Sequence, residues 1–207
     1  VTVSITALVT LSLWHCGLGS DFGDRLLTAA FDTVAAITST GYTSEHYMHR
    51  DAFATLLLMI VMFFGGMAGS TSGGAKIDRF MVLLKNTRNE LYRVLHPNTV
   101  TAVRIDGKPM PHYIVAKVIA FLCIYMLVMI VVAIGLTMMD VPIFDAIYTS
   151  ISTISNQGVG YGVTADSGSF VLLPTAAKWL LAFEMAIGRL ELFTVLVLFS
   201  PYFWLKD

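Results

Sequence analysis

The chain has 207 residues, 56% of them hydrophobic and only 13% charged, with a formal net charge of −1. Soluble proteins carry about twice that charged fraction, so the composition excludes an ordinary soluble domain and points to a bilayer. The near-neutral balance excludes the basic footprint of a nucleic-acid binder, and two distant cysteines, Cys16 and Cys123, indicate neither a disulfide framework nor a metal cluster.

Apolar character is spread along the whole chain, which a removable leader would not explain. Val1 to Trp14 is apolar but short, as if a longer polypeptide continued upstream. Next comes Phe31-Asp32, leading through Ala35-Ala36-Ile37 into the polar run Thr38-Ser39-Thr40-Gly41-Tyr42-Thr43. Ala52 to Ala75 lacks formal charge, yet its second half, GGMAGSTSGGA, makes a poor helix. Each glycine there costs about 1 kcal/mol relative to alanine in a helix interior, so a break is expected. Lys76 to Lys108 carries seven Lys or Arg (76, 79, 85, 88, 93, 104, 108), which places it in the cytoplasm. Within it, Phe80, Leu83, Leu84, Leu91 and Leu95 against Lys85, Arg88, Glu90 and Arg93 predict an amphipathic helix reaching the headgroup zone.

Val118 to Met139 is the clearest spanning helix, opening near Pro111. Phe144-Asp145 then leads through Ile151-Ser152-Thr153-Ile154 into Ser155-Asn156-Gln157-Gly158-Val159-Gly160-Tyr161-Gly162. Leu172 to Leu205 is long and apolar, but contains Lys178, Glu184, Arg189 and Glu191. The segments opposite the basic one hold eight acids (21, 24, 32, 45, 51, 140, 145, 166), so the outer face is expected to be acidic. His15, His46, His49, His96 and His112 fall near boundaries and lack metal-ligand spacing.

One order of elements therefore occurs twice: apolar helix, acidic turn, short amphipathic stretch, Gly/Ser/Thr-rich segment, apolar helix. Short helices of about 13 residues cannot cross a bilayer but can enter and return. Irregular backbone at membrane depth is tolerated where it is buried in protein or lines a wet cavity. Backbone carbonyls aimed at an axis can replace the hydration shell of potassium, glycine permits the required backbone angles, and a helix C-terminus directs partial negative charge at the ion.

Four passages carry a family likeness: TSTGYT (38–43), FFGGMAGSTSGGAKIDRF (63–80), SNQGVGYG (155–162) and GRLELFTVLVLFSPYFW (188–204). On these, the chain resembles the C-terminal half of the Trk/Ktr/HKT superfamily of potassium transporters, in its bacterial TrkH-like branch. The resemblance implies an all-α integral membrane fold of tandem helix, re-entrant pore-loop, helix repeats, forming half of a pseudo-fourfold, potassium-channel-like pore. Residues 1–96 would be the third repeat with its broken second helix and cytoplasmic extension, 97–112 a cytoplasmic linker, and 113–207 the fourth repeat.

By the same resemblance, the potassium filter comprises Thr40, Gly41, Tyr42, Asn156, Gln157, Gly158 and Val159, with potassium held by carbonyls at Gly41 and Gly158. By eye Val159-Gly160-Tyr161-Gly162 competes as a filter sequence, whereas the family's Asn-x-Gly-x-Gly pattern favours Gly158. Val159 stands where many relatives have Pro. The gate would be an intramembrane loop containing Gly65, Gly66, Gly69, Ser70, Thr71, Ser72, Gly73 and Gly74, together with a pore-facing Arg189 from the Gly-Arg-Leu-Glu motif. Implied partners are a missing N-terminal half with two further filter loops, a second copy in a homodimer, membrane lipids, and a cytosolic nucleotide-binding regulatory subunit of the TrkA-like kind, but no nucleic acid. No cofactor is implied beyond potassium as the permeant ion, and the location is a multi-pass protein of the bacterial inner membrane.

Other readings are weaker on the residues. Gly69 to Lys76 nearly fits a phosphate-binding loop, but Lys76 is one position late and no strand precedes it. Gly65, Gly69 and Gly73 could instead serve close helix packing. Arg189 could be neutralised by Glu184 or by backbone carbonyls. A two-pore-domain channel subunit would need an unbroken second helix, and a secondary carrier with broken helices would bind a solute at the midplane. An intramembrane protease would need a His or Asp at mid-membrane depth to activate Ser70 or Ser72, and none is expected there, so no enzyme is expected.

Overall fold

A computed structural model describes residues 2–15, 22–44, 52–67, 69–96, 99, 103–105, 108–164, 170–190, 194, 195 and 197. Among these the chain is helical, with α1 (Thr2–His15), α2 (Phe22–Thr38), α3 (Ala52–Phe64), α4 (Ile77–Leu95), α5 (His112–Thr137), α6 (Ile143–Ile154) and α7 (Thr175–Arg189). The expected all-α class has one small exception. A two-residue antiparallel ladder, β1 (Arg104–Ile105) with β2 (Lys108–Pro109), turns the chain between α4 and α5.

The elements pack as two triplets, α1-α2-α3 and α5-α6-α7, joined where α3 meets α6 and α4 meets α5. In each triplet the middle helix carries the polar face. A shared core of Ala36, Leu58, Val61, Met62, Tyr148, Ile151 and Val159 locks the triplets together, and a second cluster packs Ala75 against Phe121, Leu122, Tyr125 and Ile154. The two loops that follow α2 and α6 are therefore set by one continuous packing unit.

Among the described residues, α5 alone is long and apolar enough to cross a membrane, while α1, α3 and α6 are shorter apolar helices. At 1.5 Å per residue α5 measures about 39 Å, longer than a hydrocarbon core of roughly 30 Å. Its outward residues Leu127, Ile130, Val131 and Ile134 stay exposed, a surface suited to lipid. The helix opens directly after Pro111, where its opening is expected, takes in six residues ahead of the apolar run from Val118, and ends two before Met139. Lys117 lies in its second turn over the Tyr113 ring at 5.5 Å, so the charge interrupts the apolar run without ending the helix.

The expected break in the glycine-rich stretch is present: helix stops at Phe64 and resumes at Ile77. An unbroken second helix, which the two-pore-domain alternative needs, is absent from this place. Two expectations need correction. Of the two short helices, α6 has 12 residues but α2 has 17, because helix begins at Phe22, well ahead of Phe31. And Asp32 and Asp145, counted toward the expected acidic outer face, are buried, at 2% and 8% exposure. Cys16, Asp21, Glu45, His46, His49, Asp51, Asp166 and Glu191 lie outside the described residues.

Candidate functional site

The two short helices end in the same way. Ser39 after α2 and Asn156 after α6 both adopt left-handed backbone, with φ of 56° and 59°. The amide directly after each of them bonds back into the last turn, Thr40 N–H to the Ala35 carbonyl at 3.2 Å and Gln157 N–H to the Ser152 carbonyl at 2.8 Å. This is the Schellman terminator, normally a glycine position. Two residues further on come Gly41 (φ 71°) and Gly158 (φ 73°), so both left-handed pairs lie 117 residues apart. Gly160, the competing position, does not share that conformation.

The loops meet. A Cβ on Gly41 would collide with the Gln157 carbonyl oxygen, and the Gln157 side-chain amide donates to the Ala36 carbonyl in α2. Thr40, Gly41, Tyr42, Asn156, Gln157, Gly158 and Val159 thus fall on two neighbouring loops that leave the C-terminal ends of α2 and α6. Each loop returns along its own helix to an aspartate. Asp32 accepts the Ser44 amide at 3.2 Å and the Ser44 hydroxyl at 2.9 Å, and Asp145 accepts the Val163 amide at 2.9 Å. Sequence reasoning placed these acids on the outer face and missed the anchoring role. The repeated Phe-Asp pair, Phe31-Asp32 and Phe144-Asp145, was the available signal.

The segment 65–76 runs against the ends of both short helices. Its serines satisfy backbone that the broken helix frees: Ser72 Oγ accepts Gly66 N–H at 3.0 Å and Ser70 Oγ accepts Ser72 N–H at 3.2 Å. Arg189, at the end of α7, donates through Nη1 to the Thr71 carbonyl at 2.7 Å. Ser70, Thr71, Ser72, Gly73, Gly74, Lys76, Arg79 and Arg189 line a cavity of about 210 Å³, together with Phe121 and Gly188. The loop and the arginine are thereby brought together. Gly65, Gly66 and Gly69 belong to the same segment but do not line this cavity.

Glu184 does not neutralise Arg189. It is fully buried, accepting the Ser150 hydroxyl at 2.6 Å and the Thr153 hydroxyl, both on α6. The spacing explains this: residues 184 and 189 point to different sides of α7, one toward α6 and one toward the loop. A second α7 residue missed from the sequence is Gly188, where a Cβ would collide with the Ile154 carbonyl oxygen. With its amide oriented so that both groups find partners, Asn156 donates to the Met185 carbonyl and accepts Arg189 N–H, each at 3.1 Å. The last turns of α7 therefore touch α6, the start of its loop, and the segment 65–76.

Comparison with known proteins identifies the family. A family model described as TrkH, cation transport protein, matches residues 18–205. The Trk system potassium uptake protein TrkH of Salmonella typhimurium is 36% identical over 204 residues, which is 99% of this chain and 42% of that protein. The Trk system potassium uptake protein TrkI of Halomonas elongata is 35% identical over 201 residues, 97% of this chain and 41% of that protein. The crystal structure of the potassium transporter TrkH from Vibrio parahaemolyticus superposes with a TM-score of 0.87 at 33% identity, covering 99% of this chain and 43% of that one. The chain thus spans less than half the length of these relatives. The match over nearly its full length, the fold, and a helix long and apolar enough to cross a bilayer make it a membrane protein from a family of transport proteins, not of enzymes: the chain belongs to the TrkH family of cation transport proteins.

Proposed function

We propose that this chain forms half of a potassium uptake pathway across the bacterial inner membrane, with residues 1–96 and 113–207 as two helix, pore-loop, helix repeats joined by a cytoplasmic linker. The observation that carries the reading is the pair of matching helix ends. Two short helices stop with the same terminator, and each aims its C-terminal end at a loop whose glycine, Gly41 or Gly158, is left-handed. A cation at the loops' axis would meet backbone carbonyls backed by two helix C-termini, an arrangement that favours positive charge.

Potassium would shed water and pass carbonyls at Gly41 and Gly158, flanked by Thr40, Tyr42, Asn156, Gln157 and Val159. Two further filter loops would come from the remainder of the polypeptide. Segment 65–76 would lie below the filter as a gate, with Arg189 holding Thr71 and presenting a positive charge that opposes cation passage until the segment moves. Residues 76–108 would face the cytoplasm. There the exposed Leu84, Leu91 and Leu95 of α4 suit contact with headgroups and with a nucleotide-binding regulatory subunit, and the whole protein would work as a homodimer.

The test is rubidium or potassium uptake by the full-length polypeptide in potassium-starved, transport-deficient cells. Restored growth and saturable rubidium uptake are expected. Failure to rescue despite expression in the membrane would contradict the proposal.

A further inference from the structure

Segment 65–76 is held from two sides at one residue. From the first triplet, Ser39 Oγ accepts a hydrogen bond from Gly73 N–H at 3.1 Å. From the second, Gly73 lies so near the end of α6 that a Cβ on it would collide with the Ser155 carbonyl oxygen and sit 3.3 Å from the Asn156 Cβ. Ser39 and Asn156 are the two left-handed residues that end α2 and α6. A single glycine of the segment is therefore wedged between the two points from which both loops start.

Serine is a costly choice at the end of α2. Glycine would adopt φ of 56° with less strain. What serine adds at this position is the hydroxyl that Gly73 uses. The bond spans 34 residues of sequence and joins two segments that share no backbone–backbone hydrogen bond among the described residues. It differs from the Arg189–Thr71 contact, which comes from α7 and reaches the cavity side of the segment.

We propose that Ser39 is a latch: its hydroxyl seats segment 65–76 at Gly73 between the two short-helix ends, so that the segment cannot swing clear without breaking this bond. The inference rests on the gate reading above, and it names the residue that holds the gate closed against the start of the first loop. Ser39 acts by positioning the segment and touches no permeating ion. Losing one such bond should raise the population of the released segment roughly three- to tenfold.

The test is basal rubidium flux through the full-length polypeptide in proteoliposomes, with sodium flux measured alongside. Ser39→Gly removes the hydroxyl while keeping a favourable helix terminator, so the fold should survive. Ser39→Asn keeps an acceptor and tolerates the left-handed backbone, as Asn156 does at the matching position. Expected are a rise of roughly three- to tenfold in rubidium flux for Ser39→Gly, with sodium still excluded, and wild-type flux for Ser39→Asn. The latch is overturned if Ser39→Gly leaves flux unchanged while Arg189→Gln raises it. It is also overturned if the Ser39→Gly leak carries sodium as readily as rubidium, because the filter rather than the gate would then have changed. If neither variant raises flux, the gate reading itself fails together with the latch.

Discussion

The ends of α2 and α6 share a terminator but not a support. On α6, Thr149, Ser150, Ser152, Thr153 and Ser155 are fully buried, and each hydroxyl has a partner. Thr149 meets Thr164 at 3.0 Å, Ser150 and Thr153 donate to Glu184, Ser152 accepts Val159 N–H at 2.8 Å, and Ser155 meets Tyr125 at 3.3 Å. On α2, Thr33 is just as buried, yet its hydroxyl finds no partner among the described residues. Asp32 ties the return limb to Ser44, and Ser39 reaches away to Gly73. The loop after α6 thus rests mainly on its own triplet, with Gln157 reaching across to Ala36, whereas the loop after α2 leans chiefly on elements across from it.

The contrast is broken most severely at Glu184. Glu184→Ala would strip two buried hydroxyls of their shared acceptor and leave a void, an expected loss of about 2–4 kcal/mol. Thermal unfolding in detergent would register it, and Glu184→Gln should recover most of the loss because an amide oxygen still accepts. Equal stability of Glu184→Ala and wild type would mean that α6 does not depend on α7 in this way.

A smaller effect sharpens the contrast between the return limbs. Asp32→Ala removes the acceptor of two bonds from Ser44, and Asp145→Ala the acceptor of one from Val163. Expected costs are about 2 kcal/mol for Asp32→Ala and about 1 kcal/mol for Asp145→Ala, measured as shifts in the same unfolding transition. The reverse order would show that the loop after α2 is the better supported one. The smallest effect should have the opposite sign. Thr33→Val removes an unpartnered buried hydroxyl at nearly constant volume, so stability should hold or rise by up to about 1 kcal/mol. A clear loss would mean that the Thr33 hydroxyl has a partner in the full-length polypeptide.

What the sequence made legible was local. The glycines from Gly65 to Gly74 forecast the break in the second helix because their cost falls on the helix that contains them. The charge-free run from Val118, with Pro111 ahead of it, forecast α5. Long-range pairings were hidden. Glu184 looked like a neighbour for Arg189, but its partners Ser150 and Thr153 lie more than thirty residues upstream on another helix. Asp32 and Asp145 read as solvent-facing acids because the amides they bind lie 12 and 18 residues away, beyond a turn. Gly158 and Gly160 could not be separated by residue type. Backbone conformation separates them, since only Gly158 shares the left-handed geometry of Gly41.

That shared geometry allows a direct test of whether the two loops serve as one filter. Gly158 is the better position to perturb, because a Cβ there would meet only the Met185 methyl group, at 3.7 Å, whereas one on Gly41 would collide with Gln157. Gly158→Ala should therefore leave the protein in the membrane while disfavouring φ of 73° and turning carbonyls off the axis. The decisive measurement is the ratio of rubidium to sodium uptake by the full-length polypeptide, with and without Gly158→Ala. A high ratio in the wild type that falls at least severalfold in the variant is the expected result; an unchanged ratio at equal membrane abundance would contradict a filter at Gly158.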